Sequence, residues 1–351
     1  MKKFFTLLCA LLLAVQFASA QHTLYVISKS GDLAAYSASK VTFNNDLFTF
    51  TYGDVTEVTK TMFSASFSVA FNSDKYKSLK QTPEVGVCFS DVNESPTIGD
   101  GKIKKGSSLS KYTFSIYGLD AGTTYYYRAY VKVNDAVYYG DVQSQTTFGK
   151  PEYKIINGHK FVDLGLPSGL LWATCNVGAA TAADDGNYYA WGETEPQSTN
   201  SYDWASYKYG SSSSNLSKYN SSDGKTVLDK EDDAAYVNWG SSCRMPTQEE
   251  FSELLNSDNC TWAWTSQTTS SGSSISGYKV TSTTNGNSIF LPASGYRNVS
   301  GLSNRGYGYC WSSTLYSYMG YACSLYFYSG LYAYGNANRC YGLPVRPVAE
   351  P

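Results

Sequence analysis

Apolar and small polar residues alternate through much of the first half of the chain. "TLYVI" and "AYSASKVTF" are two short runs of this kind, parted by Ser30-Gly31-Asp32, and they predict a β-hairpin within residues 21–45. Over residues 46–148 the alternation becomes denser. "FSASFSVAF" (Phe63–Phe71), "EVGVCFS" and "KYTFSIYGL" each turn apolar side chains to one side, as a half-buried strand requires. "GLDAGTTYYYRAYVKVNDAVYYGD" adds a turn, a long strand and, through Asn134-Asp135, a hairpin into the next strand. The pattern predicts a β-sandwich over residues 46–148, followed by a linker at 149–154.

Residues 155–351 have a different character. All seven tryptophans lie here, at positions 172, 191, 204, 239, 262, 264 and 311, which suits a core organised around loops. One helix is clear in "MPTQEEFSELL". Thr247 and Glu250 form a capping box, and Phe251, Leu254 and Leu255 make an apolar stripe at i, i+3, i+4. A shorter helix is expected in "KEDDAAYVNW". The Ser-rich stretches Ser211–Gly224 and Ser266–Ser276 predict surface loops.

Charge and cysteine content narrow the class. The net charge is -2 with no basic stripe, so nucleic acid is not an expected partner. Tyrosine numbers 32 against 16 phenylalanines, a β-rich composition with aromatics that tolerate water. The start of the chain joins Lys2 and Lys3, an apolar run and Ala18-Ser19-Ala20. This is the pattern of a secretory signal peptide over residues 1–20, cut before Gln21. That run is short for a bilayer, and no transmembrane segment is expected after cleavage. The protein is expected to be exported, to the surface, the medium or the periplasm. Loss of Cys9 leaves Cys88, Cys175, Cys243, Cys260, Cys310, Cys323 and Cys340, an odd number that leaves at least one thiol unpaired within the chain. Cys243 and Cys260 flank the clear helix and could pair. The spacings fit no zinc site, and no metal or cofactor is expected.

Two resemblances follow from these phrases. Leu119 and "GTTYYYRAYVKV" resemble the penultimate strand of a fibronectin type III domain, which implies a seven-strand sandwich serving as a spacer or docking unit. Further on, several phrases come in order: "FVDLGLPSGLLWATCNVGA", "YYAWGETEP", "CRMPTQEEFSELL", "CTWAWT", "SIFLPASGYR", "CWSST" and "GLPVRPV". Together they resemble the Bacteroidetes-type Fibrobacter succinogenes major paralogous domain, of the C-type-lectin-like and formylglycine-generating-enzyme-like group. This implies a compact α+β domain over residues 155–351, with two helices and a small twisted antiparallel sheet under a loop-rich surface. The same group includes the variable proteins of diversity-generating retroelements. Their frame resembles Trp311-Ser312-Ser313-Thr314, then Ala322, Leu325 and Phe327, then Arg339, Gly342 and Val345-Arg346-Pro347-Val348. The chain departs from the usual pattern at Cys243 and Cys310. The resemblance implies that Trp311, Leu325, Phe327, Arg339 and Arg346 are scaffold and that the positions between them can change.

Those intervening positions are rich in tyrosine. From Leu315 to Tyr341 there is no Lys, Glu, Asp, Gln, His or Trp. Mutated adenines in asparagine codons yield most of the residues present, with Met319 a fixed position; Asp and His, which they also permit, are absent. In "LYFY", Leu325 and Phe327 face one side of a strand and Tyr326 and Tyr328 the other; Tyr332 and Tyr334 repeat the spacing after Ser329-Gly330. Sheet-forming surface tyrosines, or core tyrosines with wet hydroxyls, are the plain alternatives. The functional reading is a ligand face of Tyr316, Tyr318, Tyr321, Tyr326, Tyr328, Tyr332, Tyr334, Asn336, Asn338 and Tyr341. Tyr, Ser, Gly and Asn are the chemistry of antibody binding loops. The expected partner is a protein or a glycan.

Catalysis is not expected. Cys310, Cys323 and Cys340 are 13 and 17 residues apart, so the tight cysteine pair of formylglycine-generating enzymes is missing. Glu193 and Glu195 in "GETEP", with Asp184-Asp185, lack the partner phrases of calcium lectins and read as structural. No nucleophile motif or phosphate loop is present. A structural or assembly subunit of the cell surface, and more remotely a degenerate carbohydrate-processing protein, are the competing readings.

Overall fold

The computed structural model describes the backbone of residues 23–27 and 33–37, and residues 47–72, 81–198 and 201–351 in full. The expected signal peptide and the Ser30-Gly31-Asp32 turn lie outside the described residues. The chain is mostly β. β1 (Thr23–Ile27) and β2 (Leu33–Ser37) pair antiparallel, Thr23 opposite Ser37 and Ile27 opposite Leu33. The chain divides into two compact units, residues 1–54, 66–114 and 126–143 in one, and 55–65, 115–125 and 144–351 in the other.

Nine strands follow the hairpin: β3 (Phe48–Tyr52), β4 (Glu57–Val58), β5 (Met62–Phe71), β6 (Glu84–Ser90), β7 (Gly101–Gly106), β8 (Lys111–Tyr117), β9 (Thr124–Val133), β10 (Ala136–Tyr139) and β11 (Gln143–Thr146). β3, β4 and β8 pair with β5 in one sheet; β10, β9, β6 and β7 form the other, with β11 also on β9. Segments β3 and β4 share one position along β5, and β10 and β11 share one along β9, so seven strand positions result. Every second side chain turns inward. Phe67, Phe114 and Tyr127 are all buried, with ring centroids 6.2 Å and 5.5 Å apart in succession. Asn134, at a positive φ of 53°, makes the tight β9–β10 turn that sets Val133 opposite Ala136. The Tyr125 hydroxyl accepts a hydrogen bond from the Asp120 amide at 3.0 Å.

The larger unit continues with β12 (Tyr153–Ile156), β13 (His159–Asp163), β14 (Leu171–Ala173), β15 (Gly210–Ser212), β16 (Asn215–Leu216), α1 (Ala234–Trp239), β17 (Cys243–Arg244), α2 (Gln248–Leu255), β18 (Cys260–Thr268), β19 (Ser274–Ser282), β20 (Ser288–Pro292), β21 (Tyr296–Asn298), β22 (Gly301–Ser303), β23 (Gly308–Leu315), β24 (Tyr321–Tyr328), β25 (Leu331–Asn338) and β26 (Val348–Ala349). Sheet β12-β13-β14-β26-β17 joins the two ends of this segment, with Trp172 opposite Val348. Sheets β18-β19-β20 and β23-β24-β25 complete the framework. The capping box of α2 is formed in full: Thr247 Oγ1 accepts from the Glu250 amide, and Glu250 Oε2 from the Thr247 amide at 2.8 Å.

Two stretches differ from the sequence expectation. Ser266–Ser276 is a hairpin, with Ser266 opposite Ser276 and Thr268 opposite Ser274, so only its tip is a loop. Alternating hydroxyl residues satisfy an exposed strand pair as well as a loop. Ser211–Gly224 carries β15, β16 and a fully buried Tyr219. The Tyr219 hydroxyl donates to Asp232 Oδ2 at 2.6 Å, and Lys218 Nζ lies 2.6 Å from the same oxygen. Burial pushes the Asp232 carboxyl up, but hydrogen bonds from Lys218, Tyr209 and Tyr219 outweigh it and hold the group below its ordinary value. One tyrosine and one ion pair thus turn a Ser-rich segment into core.

Sheet β23-β24-β25 separates two hydrophobic cores. Trp311, Ala322 and Ala337 face the first, with Trp191, Tyr189 and Leu343; Cys310, Leu325 and Phe327 face the second, with Trp172, Phe251 and Leu254. Two fully buried indoles tie the first core together. Trp191 Nε1 donates to the Ser312 carbonyl at 2.8 Å, and Trp311 Nε1 to the Tyr189 carbonyl at 2.7 Å. Arg339 lies over the Trp191 ring, its guanidinium carbon 5.1 Å from the centroid, and donates to the Tyr219 carbonyl at 2.8 Å. Arg346 is wholly buried and donates to Asn176 Oδ1, Ala173 O and Phe290 O at 2.9–3.1 Å. All seven cysteines beyond Cys9 are free thiols, and only Cys175 is more than slightly exposed.

Replacing Trp191 or Trp311 with Phe removes one buried indole donor and strands one carbonyl. Each change is expected to cost about 2–4 kcal/mol in urea unfolding. The double variant should lose less than the sum, because the two bonds share one contact.

Candidate functional site

The hairpin turn Ser329-Gly330 sets the register of the tyrosine segment. A two-residue loop pairs Tyr328 with Leu331, Phe327 with Tyr332, Tyr326 with Ala333 and Leu325 with Tyr334. Residues directly opposite in an antiparallel pair share a face. Tyr326 and Tyr328 therefore lie on one face, and Tyr332 and Tyr334 on the other, with Leu325 and Phe327. The single face expected for these four tyrosines is thus corrected to two. By the same register Tyr321, Asn336 and Asn338 lie on the Leu325 side. Tyr316 and Tyr318 project from the β23–β24 loop, and Tyr318 meets Tyr321 at 5.7 Å.

The face bearing Tyr326 is fully buried at one end and half-buried at the other. Its buried end is Trp311, Ala322 and Ser324; its half-buried end is Tyr309, Tyr326 and Tyr328. Tyr309 stands opposite Tyr326, their rings 5.1 Å apart. Tyr307 stacks on Tyr326 at 6.2 Å and meets Tyr328 at 5.2 Å. Tyr296 of β21 extends the group, 5.2 Å from Tyr309, and stacks on Tyr341 at 5.2 Å. Six rings are thus contiguous: Tyr296, Tyr307, Tyr309, Tyr326, Tyr328 and Tyr341. Only Tyr326, Tyr328 and Tyr341 belong to the set expected from sequence. The other three lie before the Tyr-rich segment, although Tyr307 and Tyr309 alternate with Trp311 in "GYGYCW" and carry the same period.

The opposite face holds a smaller aromatic group. Tyr332 stacks on Trp262 at 4.5 Å with planes 7° apart, and Trp262 and Trp264 both meet the Tyr278 ring. Trp262 Nε1 donates to the Leu254 carbonyl at 2.7 Å, which fixes this stack against α2. Tyr334 is 47% exposed beside it, and Asn336 is exposed further along the edge strand. Gly308 stands opposite Phe327 and leaves room for its ring on the second-core face: a Cβ there would come within 1.9 Å of that ring.

The six-tyrosine face is neutral. Its hydroxyls can donate and accept, and its rings offer flat apolar area. Three of the four carboxylates singled out in the sequence are occupied elsewhere, and the fourth, Glu195, is exposed. Glu193 Oε1 accepts from the Lys208 amide at 2.8 Å, Asp184 holds the Thr181 and Ser270 amides, and Asp185 pairs with Arg305 at 2.7 Å. Among the described residues, no group of three or more His, Cys, Asp and Glu side chains is placed to hold a metal ion.

Burial raises Tyr309 and Tyr341, and Tyr326 is raised first by burial and then by Tyr307 and Tyr328. A raised phenol means that the folded state holds its proton more tightly than the unfolded chain. Stability from these groups is intact below about pH 10 and is lost as pH rises past that value. Phenolate absorbance should show late-titrating tyrosines, and Tyr326→Phe should remove one of them and lessen the alkaline loss of stability.

No protein-family model and no curated protein matches the chain. Among solved structures, it is similar over part of its length to the sensor domain of the anti-sigma factor RsgI4 in Pseudobacteroides cellulosolvens. The short form aligns at 14% identity and a TM-score of 0.23, covering 30% of this chain and 97% of that one. The solution structure of the same domain aligns at 16% identity and a TM-score of 0.23, covering 29% and 75%.

Proposed function

We propose that this is an exported, non-enzymatic binding protein. In this reading a fibronectin type III-like sandwich carries a C-type-lectin-like domain, and the ligand meets the tyrosine face of β23 and β24. The observation that carries the proposal is the six-ring cluster, which continues a core face with five rings half-buried and Tyr307 exposed. Tyrosine gives a large amphipathic contact for little loss of side-chain freedom, and an uncharged face avoids the desolvation cost of burying ions. The Tyr125 hydroxyl at the Asp120 backbone supports the sandwich assignment, since immunoglobulin-like domains tie this corner with a tyrosine.

Burial along the segment supports a fixed frame with exchangeable surface positions. Trp311, Ala322, Leu325, Phe327, Arg339, Val345, Arg346 and Val348 are all buried, whereas Tyr316, Tyr318, Tyr332 and Tyr334 are exposed. This is the division that retroelement diversification would need. A second reading, an assembly subunit with no discrete ligand, draws support from β25. This eight-residue strand forms one edge of its sheet and bears no charge.

The full chain, displayed against glycan and surface-protein arrays, tests the first reading. The variant Tyr307→Ser/Tyr326→Ser/Tyr328→Ser is expected to weaken captured binding by about 10-fold or more. Tyr332→Ser/Tyr334→Ser should bind as the parent does. Equal binding by parent and triple variant would remove the face assignment.

A further inference from the structure

A cleft of about 740 Å³ opens elsewhere in the larger unit, and every residue lining it belongs to that unit. Residues 55–61 and Phe148 form one side, and residues of β18, β19, β20 and the turn between the last two form the other. Two lysines meet here. Lys60 is half-buried, and its only hydrogen-bond partner among the described residues is Asn287 Oδ1 at 3.5 Å. Lys279 is exposed and has no carboxylate partner among the described residues. Burial first, and Lys279 second, push the Lys60 amine below its ordinary value. One carboxylate, the exposed Glu57, also lines the cleft, so its formal charge is one positive unit.

The remaining lining is mostly hydroxyl. Eight Thr and Ser residues contribute, and the side-chain hydroxyls of Thr61, Thr281 and Ser288 make no hydrogen bond within the described residues. Phe148 adds an aromatic ring. Gly286 lets that ring approach the chain, since a Cβ there would fall 2.3 Å from it. The volume falls within the roughly 300–1,000 Å³ of small-molecule sites and far exceeds an inorganic oxyanion. The unmatched positive charge suits an anionic ligand. Free hydroxyls and an aromatic ring suit a sugar.

We propose that this cleft binds a carboxylated sugar, the uronic acid unit of an acidic glycan. Lys60 and Lys279 hold the carboxylate, and the Thr and Ser hydroxyls meet the ring hydroxyls. The site is separate from the tyrosine face and does not depend on that face having a ligand.

Calorimetry on the full chain tests this with digalacturonate, neutral galactobiose and inorganic phosphate. Digalacturonate is expected to bind, about 10-fold or more weaker after Lys60→Met/Lys279→Met. Its affinity should also fall on going to about 0.3 M salt. Galactobiose should give no comparable binding, and the triple tyrosine variant should bind digalacturonate unchanged. Thermal melting checks the fold of the double lysine variant; Lys279→Met alone, at an exposed position, serves if the pair does not fold. The proposal is overturned if digalacturonate gives no heat or galactobiose binds equally. It also fails if phosphate binds as tightly as digalacturonate, or if a folded lysine variant keeps full affinity.

Discussion

The reciprocal bonds between Trp191 and Trp311 are the constraint on which the larger unit depends. Each indole donates to a carbonyl next to the other tryptophan or within two residues of it, so neither ring can shift without stranding a buried acceptor. Trp191 sits in the loop that follows Tyr189, and Trp311 sits in β23. The pair therefore fixes a loop-built wall to a strand. Once β23 is held, cross-strand pairing positions β24, and the faces of the sheet are assigned. Arg339 extends the same lock by lying over Trp191 and reaching the backbone at Tyr219.

Arg339 and Arg346 show how this fold handles charge. Both are buried, and their guanidinium groups meet mostly carbonyl oxygens. Burial pulls both below the ordinary arginine value. The planar fork of arginine lets one side chain satisfy several backbone acceptors at once, which matters where loops replace regular sheet. Strands β14 and β20 and the loop at Tyr219 are thereby tied to the C-terminal stretch without a counter-ion.

Much of the framework was legible in the sequence. The α2 capping box, the Asn134 turn and the inward Leu325 and Phe327 follow from local rules. The two-face arrangement was also within reach, because a two-residue turn fixes which residues stand opposite. Spacing counted across Ser329-Gly330 without that pairing led to the wrong face for Tyr332 and Tyr334. Other features were not legible. Tyr296 joins the cluster from a separate hairpin, and Tyr219 enters the core from a Ser-rich stretch. Only long-range packing decides such cases. The Lys60–Lys279 cleft likewise joins residues more than two hundred positions apart.

The seven thiols carry a different consequence. Burial pushes Cys88, Cys310 and Cys323 up to about 11 and Cys260 and Cys340 up to about 12, so almost no thiolate exists in the folded state. Packing, in place of covalent pairing, keeps these sulfurs inert. That protection ends abruptly on unfolding, when all seven become accessible at ordinary acidity. A chain that opens in air can then cross-link before it recloses, so its lifetime would be set by how seldom it opens.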